Sequence, residues 1–123
     1  VSPDLRRQRI GRWGEDFAAR YLQERGDKLL ARNVRTPYGE IDLVTRRGDL
    51  TIFVEVKART GAGYGLPEAA VTPAKQKHLL QAIQAYWLAH EPETDWQVDV
   101  IAILLQPGEK EPHLEHFENA LNG

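Results

Sequence analysis

No cysteine occurs among the 123 residues, which removes disulfide frameworks, thiolate nucleophiles, iron–sulfur clusters and cysteine-bound zinc together. Any metal held here must bind oxygen or imidazole. Methionine is absent as well. No apolar run approaches the roughly 18 residues of a membrane span, and the opening VSPDLRRQR carries no signal-peptide core, so a cytoplasmic protein with no membrane partner is expected. Internal repeats and low-complexity tracts are also missing. What remains, 41% apolar and 28% charged residues, is ordinary globular composition, and the length suits one domain spanning residues 1–123.

A formal net charge of −2 argues against a polyanionic partner until the halves are counted apart. Residues 1–61 hold 13 Lys/Arg against 9 Asp/Glu, a balance of +4, whereas residues 62–123 hold 3 against 9, a balance of −6. The N-terminal half, Arg12 included, is thus the candidate contact surface for nucleic acid. Charge alone equally fits a solvated face of surface arginines.

Between Leu5 and Arg25 the apolar residues Ile10, Trp13, Phe17, Ala18, Tyr21 and Leu22 recur at helical spacing, and Gly26 caps the helix. Lys28 to Val34 reads as a strand, Thr36-Pro37-Tyr38-Gly39 as a turn, and Glu40 to Thr45 as a second strand. Strict alternation there places Ile41 and Leu43 on one face, with Glu40, Asp42 and Val44 on the other. After the turn Arg47-Gly48-Asp49, a third strand from Leu50 to Ala58 turns Ile52, Val54 and Val56 to a core and Phe53, Glu55, Lys57 and Arg59 away from it. The glycine-rich residues 60–68 suggest a mobile flap. Thr72 and Pro73 open a second helix, striped by Leu79, Leu80, Ile83, Tyr86 and Trp87 and ending near His90. Trp96 to Leu105 and His113 to Phe117 supply two further strands. The order α-β-β-β-α-β predicts an α/β fold, a mixed sheet of four to five strands flanked by helices, with the second helix as a crossover to a parallel strand.

Asp42 and the pair Glu55/Lys57 fall on strands that a short turn obliges to pair, so an acid, an acid and a lysine converge. Two carboxylates at about 4 Å repel by roughly 4 kcal/mol at an effective dielectric of 20, and one lysine offsets only part of that. A divalent cation resolves it, and oxygen-only ligation suits Mg²⁺ or Mn²⁺. Such a patch fits phosphodiester hydrolysis, with Lys57 orienting water or steadying transition-state charge. The bland alternative is a charge pair on a half-exposed strand, although a charged pair in so apolar a strand costs desolvation. Glu15, at the edge of the first helix's apolar stripe, can look inward as a further acid or pair with an arginine at the surface. Gly11 and Gly14 beside it hint at a close approach. Glu40 could join the site or be solvated. Arg59 could contact phosphate, and Lys75 and Lys77, placed where the helix dipole disfavours cations, could do the same. Gln76 is a weaker candidate. Asp99 reads as structural support, and His113 and His116 as surface residues.

The segments Gly11-x-x-Gly14-Glu15, Gly39-Glu40-Ile41-Asp42-Leu43, Phe53-Val54-Glu55-Val56-Lys57-Ala58-Arg59 and Val98-Asp99-Val100-Ile101-Ala102 together resemble the bacterial UPF0102 family through most of the chain. That family looks like a branch of the restriction-endonuclease-like PD-(D/E)xK superfamily and is similar in layout to archaeal Holliday-junction resolvases. The resemblance implies a restriction-endonuclease-like core, Glu15, Asp42 and Glu55 as metal ligands, and Lys57 as the catalytic lysine. It also implies an endonuclease on structured or branched DNA, RNA being possible, and a symmetric homodimer. Pro37 does not adjoin Asp42, a departure from the superfamily's usual motif. Two other classes compete: a nucleic-acid-binding module without chemistry, and a partner-binding structural protein presenting Tyr86, Trp87 and Trp96, which burial of those rings would dispose of.

Overall fold

The structure is a computed structural model that describes residues 3–60, 72–90 and 92–121. Helix α1, Pro3–Glu24, is followed by β1 (Lys28–Thr36), β2 (Gly39–Arg47), β3 (Leu50–Thr60), α2 (Pro73–His90), β4 (Asp95–Leu105) and β5 (His113–Phe117). The strands form one sheet in the order β1-β2-β3-β4-β5. Neighbours are antiparallel except β3 and β4, which run parallel from Leu50↔Asp95 to Thr60↔Leu105. The intervening α2 is the crossover that a parallel pair requires. The flap expected at residues 60–68 lies, beyond Thr60, outside the described residues. Among the described residues, no helix is long and apolar enough to cross a membrane.

Local chemistry sets the boundaries. α1 ends in a paired closure, with Asp27 N–H on Leu22 O at 3.0 Å and Gly26 N–H on Gln23 O at 2.9 Å. That motif needs a left-handed residue at its corner, supplied by Gly26 at φ 98°. At α2 the Thr72 hydroxyl accepts the Lys75 N–H at 3.2 Å, as expected of an N-cap.

Two apolar layers hold the sheet, one on each face. Ala18, Ala19 and Leu22 of α1 cover Leu43, Ile52, Val54, Ile101 and Ile103, with Val56 half-buried beside them. On the other face Leu79, Ala82, Ile83 and Tyr86 of α2 cover Ile41, Val44, Phe53 and Val98. The alternation of Ile52, Phe53 and Val54 between the two layers is what a strand buried on both faces does. β2 departs from the expected alternation. Ile41 lies in the α2 layer and Leu43 in the α1 layer, because β2 leaves β3 beyond the Leu43↔Val54 pair and the chain turns over at Asp42. Tyr86 is buried and Trp87 half-buried, both packing with Trp96 around Phe53. Trp96 keeps 39% of its surface in solvent, so of the three aromatics expected at a partner surface only Tyr86 is buried, and Trp87 and Trp96 stay partly exposed.

Candidate functional site

Where β2 parts from β3, a side chain replaces the missing backbone acceptor. Asp42 Oδ2 accepts the Val56 N–H at 2.8 Å. This anchors the carboxylate in the plane of the sheet, where acids from both faces can reach it.

From one face comes Glu15. α1 can lie against β3 because residue 14 has no side chain: a Cβ there would collide with that of Ala58 and lie 3.7 Å from Ala58 Cα and Val56 Cγ1. Gly11 makes no such approach, nothing standing within 4 Å of an added Cβ. The contact at Gly14 sets the next residue inward, and the carboxylate oxygens of Glu15, Glu40 and Asp42 all lie within 4.8 Å of one another. Glu15 Oε1 is buried without a hydrogen-bond partner. The nearest guanidinium, Arg32, is 4.0 Å from it and bonds Asp16 at 2.6 Å instead.

Such crowding disfavours ionisation. Burial, then the charge of Glu55, pushes Asp42 up to about 8, against the opposing Val56 amide, with Glu15 and Glu40 adding to the rise. Burial likewise raises Glu15, opposed by a hydrogen bond from Asn33 and by Arg32. The chain has gathered more negative charge here than it neutralises.

On the α2 side, Asp42 and Glu40 form one wall of a pocket of about 320 Å³. Glu55 and Lys57 stand together in it, Lys57 Nζ 3.3 Å from Glu55 Oε1. Alternate positions on β3 put both side chains there while Val56 anchors under α1. Lys75 reaches the same pocket from the first turn of α2. The adjacent Lys57 ammonium holds it below the usual lysine range, burial acting in the same direction. Asp42, Glu55, Lys57 and Lys75 thus share one pocket, which Glu40 joins, while Glu15 meets Asp42 and Glu40 from the α1 side without lining that pocket. Arg12, Arg59 and Lys77 are exposed and do not line the pocket, Arg59 placing Nη1 on Ala58 O at 2.9 Å; nor does Gln76. Tyr38 and His78 do line it. His78 was detectable as the residue three beyond Lys75 on one helix face, whereas Tyr38 carried only a turn signal.

A second group lies under the C-terminal end of α1. His116, expected at the surface, has a side chain only 6% exposed, with Nε2 2.7 Å from Asp99 Oδ2. The pairing Ile101↔His116 across β4 and β5 brings the ring inward under Tyr21. Asp99 is wholly buried and also accepts Gln97 Nε2 at 2.8 Å and the Asn119 N–H at 2.9 Å, as a structural aspartate should. His113 is exposed as expected, paired with Glu109 at 2.5 Å.

An α/β chain with acids and lysines gathered at a break in its sheet is the class of protein that emerges. Residues 14–103 match the model of a family described as "Uncharacterised protein family UPF0102". The chain is 47% identical over 116 residues to a UPF0102 protein of Syntrophotalea carbinolica, covering 92% of this chain and 91% of the relative. A UPF0102 protein of Rhodococcus opacus is 44% identical over 114 residues, 90% of this chain and 94% of its own. One of Anaeromyxobacter dehalogenans is 43% identical over 118 residues, 95% and 87% of the two chains. The protein belongs to the UPF0102 family.

Proposed function

We propose that this protein is a metal-dependent nucleic-acid phosphodiester hydrolase, an endonuclease of the restriction-endonuclease-like type acting on structured or branched DNA. One observation carries the reading: the half-buried carboxylates of Glu15 and Asp42 meet the exposed Glu40 at the Asp42 break, with a Glu15 oxygen left without a hydrogen bond, beside two lysines in an open pocket. A carboxylate cluster that its own chain leaves short of positive charge suits a hard divalent cation. Mg²⁺ or Mn²⁺ would be held by Asp42 with Glu15 and Glu40, whose oxygens gather with its own, and with Glu55 facing the same pocket as Asp42. When bound, such an ion supplies a more acidic water and neutralises phosphate charge.

The remaining work falls to the chain. Lys57, fixed by β3 and its contact with Glu55, offers a cation to orient the attacking water or to steady charge on the phosphate oxygens. Lys75, carried by a different element, offers a second cation for a neighbouring phosphate. Cutting both strands of a junction would require two such sites, hence a pair of chains.

The test is incubation of the purified protein with labelled DNA and RNA, including a four-way junction, in Mg²⁺, Mn²⁺ or chelator, beside Asp42→Asn and Lys57→Ala. Metal-dependent cleavage by the wild type, lost in both variants, is expected. Binding without cleavage would make it a binding module, and neither binding nor cleavage would overturn the reading.

A further inference from the structure

The acidic pocket does not stand alone on the α2 face. A groove of about 590 Å³ adjoins it, floored by Gln81, Gln84, Ala85 and Leu88 of α2. Tyr38 lines both spaces. It is the one residue the two linings share, and 50% of it remains in solvent.

Although exposed, Tyr38 is placed by a constrained turn. It follows Pro37 in the two-residue connection between Thr36 and Gly39, which pair across β1 and β2. The Thr36 hydroxyl accepts the Tyr38 N–H at 3.1 Å and donates to Gly39 O at 2.7 Å, and proline fixes its own φ. The aromatic ring therefore sits on a rigid base.

The two spaces differ in chemistry along a single helix face. Lys75 and His78 line the pocket, whereas Gln81, Gln84, Ala85 and Leu88 line the groove at spacings of three and four. Among the described residues no charged side chain lines the groove. Leu88, 72% exposed, belongs to none of the core layers. A ligand spanning both spaces needs an anionic part near the lysines and an uncharged part with an apolar face and a hydrogen-bonding edge. A nucleotide has that division: phosphate at one end, a flat base at the other.

We propose that the groove is a subsite for one unpaired base of the nucleic-acid substrate, stacked on Tyr38 with its edge toward Gln81 and Gln84. Stacking on an aromatic ring tolerates any base, and a glutamine amide offers both a donor and an acceptor to a base edge. A base within a duplex cannot enter without being unstacked. The subsite, which rests on the nuclease reading, therefore selects substrates with an unpaired nucleotide next to the bond placed at Asp42 and Lys57, such as forks, flaps and branch points.

Fluorescence anisotropy with Mg²⁺ would compare a forked DNA and a fully paired duplex of equal length. The proteins are the intact wild type, Tyr38→Ala, Tyr38→Phe and Leu88→Glu. Tyr38→Ala should weaken fork binding by roughly tenfold and duplex binding much less, while Tyr38→Phe retains both. A fork with one abasic nucleotide at the branch should bind wild type as weakly and make Tyr38→Ala neutral. If Tyr38→Ala binds and cleaves forks like wild type, the subsite falls and the nuclease reading stands. If wild type binds no nucleic acid, both fall. If Leu88→Glu dissolves a dimer while nucleic-acid binding is unchanged, the groove belongs to a second copy of the chain and the proposal is overturned.

Discussion

Two clusters of titratable groups in this protein look alike by proximity and differ in what surrounds them. In each, three ligand atoms lie within 4.8 Å of one another: Glu15, Glu40 and Asp42 at the break in β2, and Asp99, His116 and Glu118 beneath the end of α1. The second cluster is filled by the chain itself. Glu118 takes Arg25 and Arg47, each at 3.3 Å, and Arg47 also binds the buried Asp27 at 2.7 Å. His116 Nδ1 faces Arg25 Nη1 at 2.6 Å and the Tyr21 hydroxyl at 3.0 Å. Although burial works against it, these arginines hold Glu118 below the usual carboxylate range. At the first cluster the nearest arginine bonds elsewhere, and Asp42 rises to about 8. Acid clusters are therefore told apart by the supply of internal cations, and the poorly supplied one is the candidate for a cation from solution.

That contrast breaks first at Asp42. Asp42→Asn is expected to lower cleavage on the order of 10³-fold, measured in single-turnover assays, and to abolish the rise in melting temperature given by Mn²⁺. The complementary substitution, Asp99→Ala, should cost about 3 kcal/mol in urea unfolding, because it strips a buried histidine and amides of their acceptor. Metal-induced stabilisation of the folded fraction should survive. Loss of metal response in Asp99→Ala, with the fold intact, would erase the distinction between the clusters.

Gly14→Ala links helix packing to the first cluster. The added methyl meets Ala58 and should cost about 1–3 kcal/mol while weakening Mn²⁺ affinity through Glu15. Combining it with Ala58→Gly should restore part of both, as calorimetry and titration would show.

The pH profiles of the metal-free protein should then run in opposite directions. For Asp42, raised from an ordinary 3.8 to about 8, the folded form holds the proton more tightly. Its contribution to stability is full below the ordinary value and is lost as pH rises through about 8. Glu118, lowered by its arginines, contributes above its ordinary value and loses that contribution as pH falls. Thermal melts from pH 4 to 9 in chelator should show the Asp42 effect flattened by Asp42→Asn, and Mn²⁺ should stabilise more at higher pH, since it displaces the proton. The smallest effect belongs to Glu118→Gln, whose partly exposed ion pairs are worth about 0.5 kcal/mol and less in high salt.

The strands, helices and their order were legible because period, turn residues and caps act locally. β5 falls at His113–Phe117 as expected, and the Gly26 and Thr72 caps do what their types favour. The convergence of Asp42, Glu55 and Lys57 followed from strand pairing across a short turn. What escaped depended on tertiary register. Ile41 and Leu43 part company because β2 breaks its alternation at Asp42, and a two-residue period cannot announce its own interruption. His116 has the composition of a surface residue, and only its position opposite Ile101 brings it to Asp99. Glu40 was balanced between solvent and site until the hairpin turned its carboxylate toward Glu15.

The hydrogen bond from Val56 to Asp42 makes one residue serve the sheet and the pocket together. A carboxylate there closes the seam between β2 and β3 as a peptide oxygen would, so its loss opens the seam as well as weakening the site. An amide keeps an acceptor of nearly the same shape and removes only the charge. At position 42, chemistry and folding can therefore be separated by asparagine, whereas alanine would confound them.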